Sequence, residues 1–170
     1  MRLTCTITLI LMLLVTGNAQ NTFISDFKAK WQNAKEYTLE FARAMPPEKY
    51  DYAPVPEEMT FGRQLVHICG NMIWLSSAFL DAPPFGKDVD QPSEKKEDVI
   101  ELLEESFDYA SQAIDHFPDS KLEDIVEFFA GPMTKRHVFL LMTDHVTHHR
   151  GQLVVYLRLN GIKPPSYRGW

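Results

Sequence analysis

The chain has 170 residues, 45% hydrophobic and 24% charged, with a formal net charge of −6. No Lys/Arg-rich block interrupts that acidic balance, which disfavours a protein that holds nucleic acid through its phosphates. Of its two cysteines, Cys5 falls in the N-terminal stretch read below as a signal peptide, which leaves Cys69 without an internal disulfide partner, so packing must hold the fold.

Residues 1–19 read as a secretory signal peptide. Arg2 gives a positive start, residues 7–15 are almost wholly apolar, and Gly17-Asn18-Ala19 offers small residues for cleavage after Ala19. The apolar run is short for a membrane span, and no Cys follows it to carry a lipid. An uncleaved N-terminal anchor is the lesser alternative. The expected product is exported, periplasmic or extracellular, with residues 20–170 forming one domain and no stable membrane span. Its remaining Cys69 sits in an apolar run with no cation beside it, as a buried structural thiol would.

Residues 23–45 are predicted as the first helix, with Phe23, Phe27, Trp31, Ala34, Thr38, Phe41 and Met45 recurring at three- and four-residue steps. Pro46-Pro47 ends it, and Tyr50 and Tyr52 are expected to pin the following loop. Thr60 is the next N-cap candidate, opening a helix over residues 61–80 that is apolar nearly all round and so expected to be central. His67 lies in this helix, with Gln64 and Asn71 on the same side. A polar ring there needs a partner, either a backbone carbonyl, Asn71 or a metal ion. Pro92 and Ser93 are read as opening a third helix that runs to about His116, with Val99, Leu103, Phe107, Ala110 and Ile114 inward and a solvated charged face outward. Residues 119–133 read as a connector across the bundle, with 125–129 a candidate extended segment ending at Gly131-Pro132.

The last helix is predicted between Thr134 as N-cap and Asn160-Gly161 as stop. It carries Asp144-His145-Val146-Thr147-His148-His149-Arg150-Gly151-Gln152. His145 and His149, four apart, share one face with Val138, Met142 and Tyr156; His148 flanks it. By itself such a pair fits a packed, hydrogen-bonded couple as well as two metal ligands. The four helices predict an all-α fold, a four-helix bundle with long crossover connections. If the second and fourth helices are neighbours, three imidazoles can meet at one point.

These motifs resemble the DinB-like (YfiT-like) family over nearly all of residues 20–170. The resemblance rests on Tyr50-Asp51-Tyr52-Ala53-Pro54 before Thr60-Phe61-Gly62-Arg63-Gln64-Leu65-Val66-His67, on Phe128-Phe129-Ala130-Gly131-Pro132, and most specifically on His145-Val146-Thr147-His148-His149-Arg150-Gly151-Gln152-Leu153. It implies a divalent ion held by His67, His145 and His149. It also makes a homodimer an expectation, and a small thiol cofactor an option, which export disfavours.

Three imidazoles leave an ion with open positions, where it can lower the pKa of water and polarise a substrate oxygen. That suits a metal-dependent hydrolase acting on an unidentified small molecule. The alternatives are a non-catalytic metal- or ligand-binding bundle, and a metal-dependent thiol transferase or isomerase. All-nitrogen ligation fits Zn, Ni, Fe or Cu without choosing among them. His148 and Tyr156 are candidates for proton transfer or substrate orientation. Gly151 suggests close approach of a neighbouring helix, Arg150 an ion pair with Asp144 or a substrate anion, and Asp144 a group orienting a ligand ring.

Overall fold

The computed structural model describes residues 23–87, 89 and 93–170. The expected signal peptide, residues 1–19, lies outside the described residues, as does Pro92. Among the described residues there are four α-helices: α1 (Phe23–Ala44), α2 (Phe61–Phe79), α3 (Lys96–His116) and α4 (Lys135–Leu159).

Each boundary has a local cause. At the start of α2 the Thr60 hydroxyl accepts the Arg63 N–H at 3.0 Å, and at the start of α4 the Thr134 hydroxyl accepts the His137 N–H at 3.2 Å, each pairing one of the N–H groups a helix leaves open. α1 stops at Ala44, before the extended Pro46, because a proline restricts the residue preceding it. α3 begins at Lys96 rather than beside Ser93. The Ser93 hydroxyl accepts the N–H of Lys95 at 3.2 Å, and Lys95 is extended; a local side-chain turn competes with the helix there.

In the ring of helices α2 packs between α3 and α4, and α1 closes it by packing on the same two. Chain neighbours α1 and α2 therefore stand diagonally, as do α3 and α4, which is why their connections are long. The first is pinned by Tyr50, whose hydroxyl donates to the Ala42 carbonyl at 2.6 Å. Tyr52 stands edge-on to Tyr156 at 6.0 Å. Gly62 is required where this loop meets α2, since a Cβ would lie 3.1 Å from the Glu94 carbonyl oxygen and 3.2 Å from the Tyr50 ring.

The connector before α4 is a small hairpin. Ile125–Val126 pairs antiparallel with Met133–Thr134, and the turn closes through Gly131, whose φ of 109° favours glycine and whose N–H bonds the Phe128 carbonyl at 2.9 Å. The extended segment is thus two residues long, and Phe128 and Phe129 ride on the turn.

The core runs the length of the bundle through Trp31, Phe41, Phe61, Leu65, Phe107 and Phe139. Trp31 meets Phe107 at 5.0 Å, and Phe27 meets Phe139 edge-on at 4.8 Å. Each fully buried side chain of this size contributes roughly 1.5–3 kcal/mol of transfer free energy. Cys69 is fully buried on α2, and burial pushes its thiol up to about 12. Contrary to expectation, α2 is not enclosed on every side. Arg63, His67 and Trp74 are exposed along one edge, which borders α4. Among the described residues no helix is long and apolar enough to cross a membrane.

Candidate metal centre

Where α2 adjoins α4, one turn of α2 and two turns of α4 bring His67, His145 and His149 together. Their ligand nitrogens all lie within 4.8 Å of one another. His67 Nε2 stands 3.1 Å from His145 Nε2. The ring centroids are 4.9 Å apart for His67–His145, 4.7 Å for His67–His149 and 4.4 Å for His145–His149. Two nitrogens bound at 2.0–2.1 Å to one tetrahedral ion stand about 3.3 Å apart, and the His67–His145 pair is already near that separation. The four-residue step on α4 does this because both side chains leave the helix on one face.

Burial is graded across the cluster. His149 is buried at 6% exposure, His145 is half-buried and His67 is exposed. Desolvation, with neighbouring imidazoles second, pulls His145 down to about 3 and His149 to about 4. Desolvation, then the Arg63 charge, lowers His67 too. Near neutral pH the rings therefore present lone pairs rather than protons, as metal ligation requires.

His149 is oriented by two amides. Its Nδ1 donates to Gln64 Oε1 at 2.5 Å and to Gln152 Oε1 at 3.0 Å, which leaves Nε2 as the nitrogen with a free lone pair. Gln64 is itself fully buried; its Nε2 donates to the Tyr156 hydroxyl at 3.4 Å, and that hydroxyl donates to the Met59 carbonyl at 2.7 Å. The chain Met59–Tyr156–Gln64–His149 thus ties the centre to the loop before α2. Burial raises the Tyr156 pKa. His148 is exposed at the rim, its Nε2 3.5 Å from Gln152 Nε2.

Of the remaining sequence expectations, four are corrected. Gly151 marks no close approach, since a Cβ there would meet nothing within 4 Å. Arg150 does not pair with Asp144. It is buried at 6% exposure, its guanidinium lies 4.7 Å from the centre of the Tyr37 ring, and it meets the Thr38 and Thr147 hydroxyls at 3.4 and 3.5 Å. It belongs to the packing between α1 and α4. Asp144 is exposed, and its carboxylate orients no imidazole among the described residues; Gln64 and Gln152 do that instead. Asn71 does not satisfy His67 either, and its Oδ1 is buried without a partner among the described residues. Gln64 was visible only as a polar residue three before His67, and nothing in its spacing named His149 as its partner.

An all-α bundle with diagonal crossovers and a three-imidazole cluster able to hold a metal ion is the class this geometry defines. The chain belongs to the DinB family, whose family model matches residues 18–169. A solved DinB-like protein from Bacillus cereus ATCC 10987 superposes with a TM-score of 0.73 at 22% identity, covering 83% of this chain and 95% of its own. A DinB-like protein, YjoA, from Bacillus subtilis gives 0.69 at 21% identity, covering 84% and 97%. A conserved protein from Enterococcus faecalis gives 0.64 at 16%, covering 79% and 95%. No curated protein matches the sequence.

Proposed function

We propose that this protein is a divalent-metal-dependent hydrolase whose ion, Zn, Ni or Fe, is held by His67, His145 and His149. The observation that carries the reading is the convergence of three neutral imidazole nitrogens from two helices at an edge open to solvent. Three protein ligands, rather than the four of a closed structural site, suit an ion that takes part in chemistry. When bound, the ion supplies Lewis acidity to a water and to a substrate oxygen.

The chain's own residues then have distinct tasks. Gln64 and Gln152 hold the His149 tautomer, and Tyr156 positions Gln64 rather than moving protons itself, because its hydroxyl is already engaged with Met59 and Gln64. His148, exposed beside the cluster, is the group placed to take or return a proton at its imidazole nitrogen. The reading extends to an exported protein, with residues 1–19 removed, that forms a homodimer and binds no nucleic acid.

The test begins with metal analysis of the purified protein beside His67→Ala and His145→Ala. Stoichiometric metal in the parent and its loss in both variants is expected; full retention in both variants refutes the ligand set. Ester, amide and phosphoester substrates are then screened with and without a chelator. Turnover abolished by chelator and restored by metal is expected, and the absence of turnover on all three classes leaves a binding protein instead.

A further inference from the structure

Beside the histidine cluster lies a cavity of about 340 Å³. His145 belongs to both. Its walls are mainly Trp74 and Leu75 of α2, Leu141 of α4, and Phe128 and Phe129 from the hairpin turn. Three of these rings pack against one another. Trp74 lies at 36° to Phe128 and 28° to Phe129, with centroids 5.5 and 6.4 Å away, and the two phenylalanines lie at 35° to each other. Together they line one side of the cavity, a slot in which another flat ring can lie against them.

Two features mark this as a binding surface rather than leftover core. Phe129 is 87% exposed and Trp74 41% exposed, so large aromatic faces stand in water immediately beside a cluster of metal-ligating type; adjacent apolar surface of this kind marks an interaction site. The charge of the lining is also one-sided. Asp144 is its sole formally charged residue, and no Lys or Arg lines it. An anionic body would meet that carboxylate with nothing to offset it, whereas an uncharged one loses little hydration on entry. As to size, an apolar cavity of about 150 Å³ takes one benzene, so this one has room for a ring and its substituents.

We propose that this cavity takes the flat, uncharged aromatic portion of the substrate, with the group to be hydrolysed directed past His145 towards the three imidazoles. The inference rests on the metal-site reading above. It makes the preferred substrates neutral aryl esters or amides rather than sugars, phosphoesters or aliphatic acids.

The experiment uses two probes with one metal-seeking head. Benzohydroxamate and acetohydroxamate are titrated by calorimetry into the zinc-loaded protein and into Phe129→Ala and Trp74→Leu. Phe129 is so exposed that its truncation leaves the fold intact. Benzohydroxamate is expected to bind roughly ten- to a hundredfold tighter than acetohydroxamate, the range that burying one aromatic ring gives, and each variant should erase most of that preference. Equal affinities that neither variant changes overturn the aromatic slot while leaving the metal centre standing. If neither hydroxamate binds, neutral 2-naphthol is titrated in their place. Binding that Phe129→Ala weakens then keeps the slot and rejects the metal reading, and no binding rejects both. Sedimentation of the same samples tests the remaining occupant: a dimer that Phe129→Ala dissociates means a second copy covers the rings, and overturns the proposal.

Discussion

Proton competition offers the sharpest test of the centre. The perturbation is a drop from pH 7.5 to pH 5.5 during zinc titration. Were the three rings ordinary imidazoles with pKa near 6.5, each would be about one-eleventh neutral at pH 5.5, and the three together would lower metal affinity on the order of a thousandfold. In this protein His145 and His149 are pulled to about 3 and about 4, so neither takes up appreciable proton at pH 5.5. His67, lowered and more exposed, can account for at most about one elevenfold factor. The expected loss of affinity therefore lies between none and about tenfold. Calorimetry in buffers of differing ionisation enthalpy reads the same quantity as protons released on binding. Fewer than one is expected at pH 6, against about two for ordinary rings. A hundredfold loss, or release of two protons, refutes the claim that burial has already stripped these nitrogens. The same shifts carry a stability consequence in the metal-free protein. The folded pKa values lie below those of the unfolded chain, so between about pH 6.5 and 3 the unfolded state binds more protons and stability falls as pH falls.

Three further outcomes follow from particular contacts. Gln64→Leu removes the 2.5 Å acceptor of His149 Nδ1 and should weaken zinc binding about ten- to a hundredfold, read by competition with a chromophoric chelator; an unchanged affinity means Gln152 alone suffices. Gly62→Ala should destabilise the protein by about 1–3 kcal/mol through overpacking against the Glu94 carbonyl and Tyr50. Gly151→Ala, with open space around it, should stabilise by up to about 1 kcal/mol; denaturant melts of the pair check that the signs are opposite. Thr134→Ala removes the cap on the His137 N–H and should cost about 0.5–2 kcal/mol, measured in the same way.

Local signals in the sequence were sufficient wherever the physics is itself local. Thr60 and Thr134 announce helix starts because a hydroxyl reaches an N–H three residues on, and the His145–His149 step places two rings side by side by helix geometry alone. The third ring was different. That His67 joins them depends on α2 adjoining α4, a long-range matter that periodicity leaves open and that the resemblance in residues 60–67 and 145–153 supplied. Long-range packing also explains the misses. Gly151 and Gly62 look alike in sequence, yet the second faces a loop carbonyl and the first faces solvent. Arg150 finds Tyr37 on another helix rather than Asp144 on its own, and the amide partners of His149 come from both helices. Trp74 lies on a helix that is apolar nearly all round in sequence, yet it is exposed, because its environment is set by where the hairpin turn brings Phe128 and Phe129.

Cys69 gives the bundle a native reporter of its own opening. Its sulfur is sealed in the middle of α2 and its thiol is pushed up to about 12, so alkylating reagents find neither access nor thiolate in the closed state. Modification at this position must then wait for the helices to part, and its rate records how often they do. An ion bridging α2 and α4 should slow that clock, which makes metal occupancy readable by mass spectrometry without any substrate in hand.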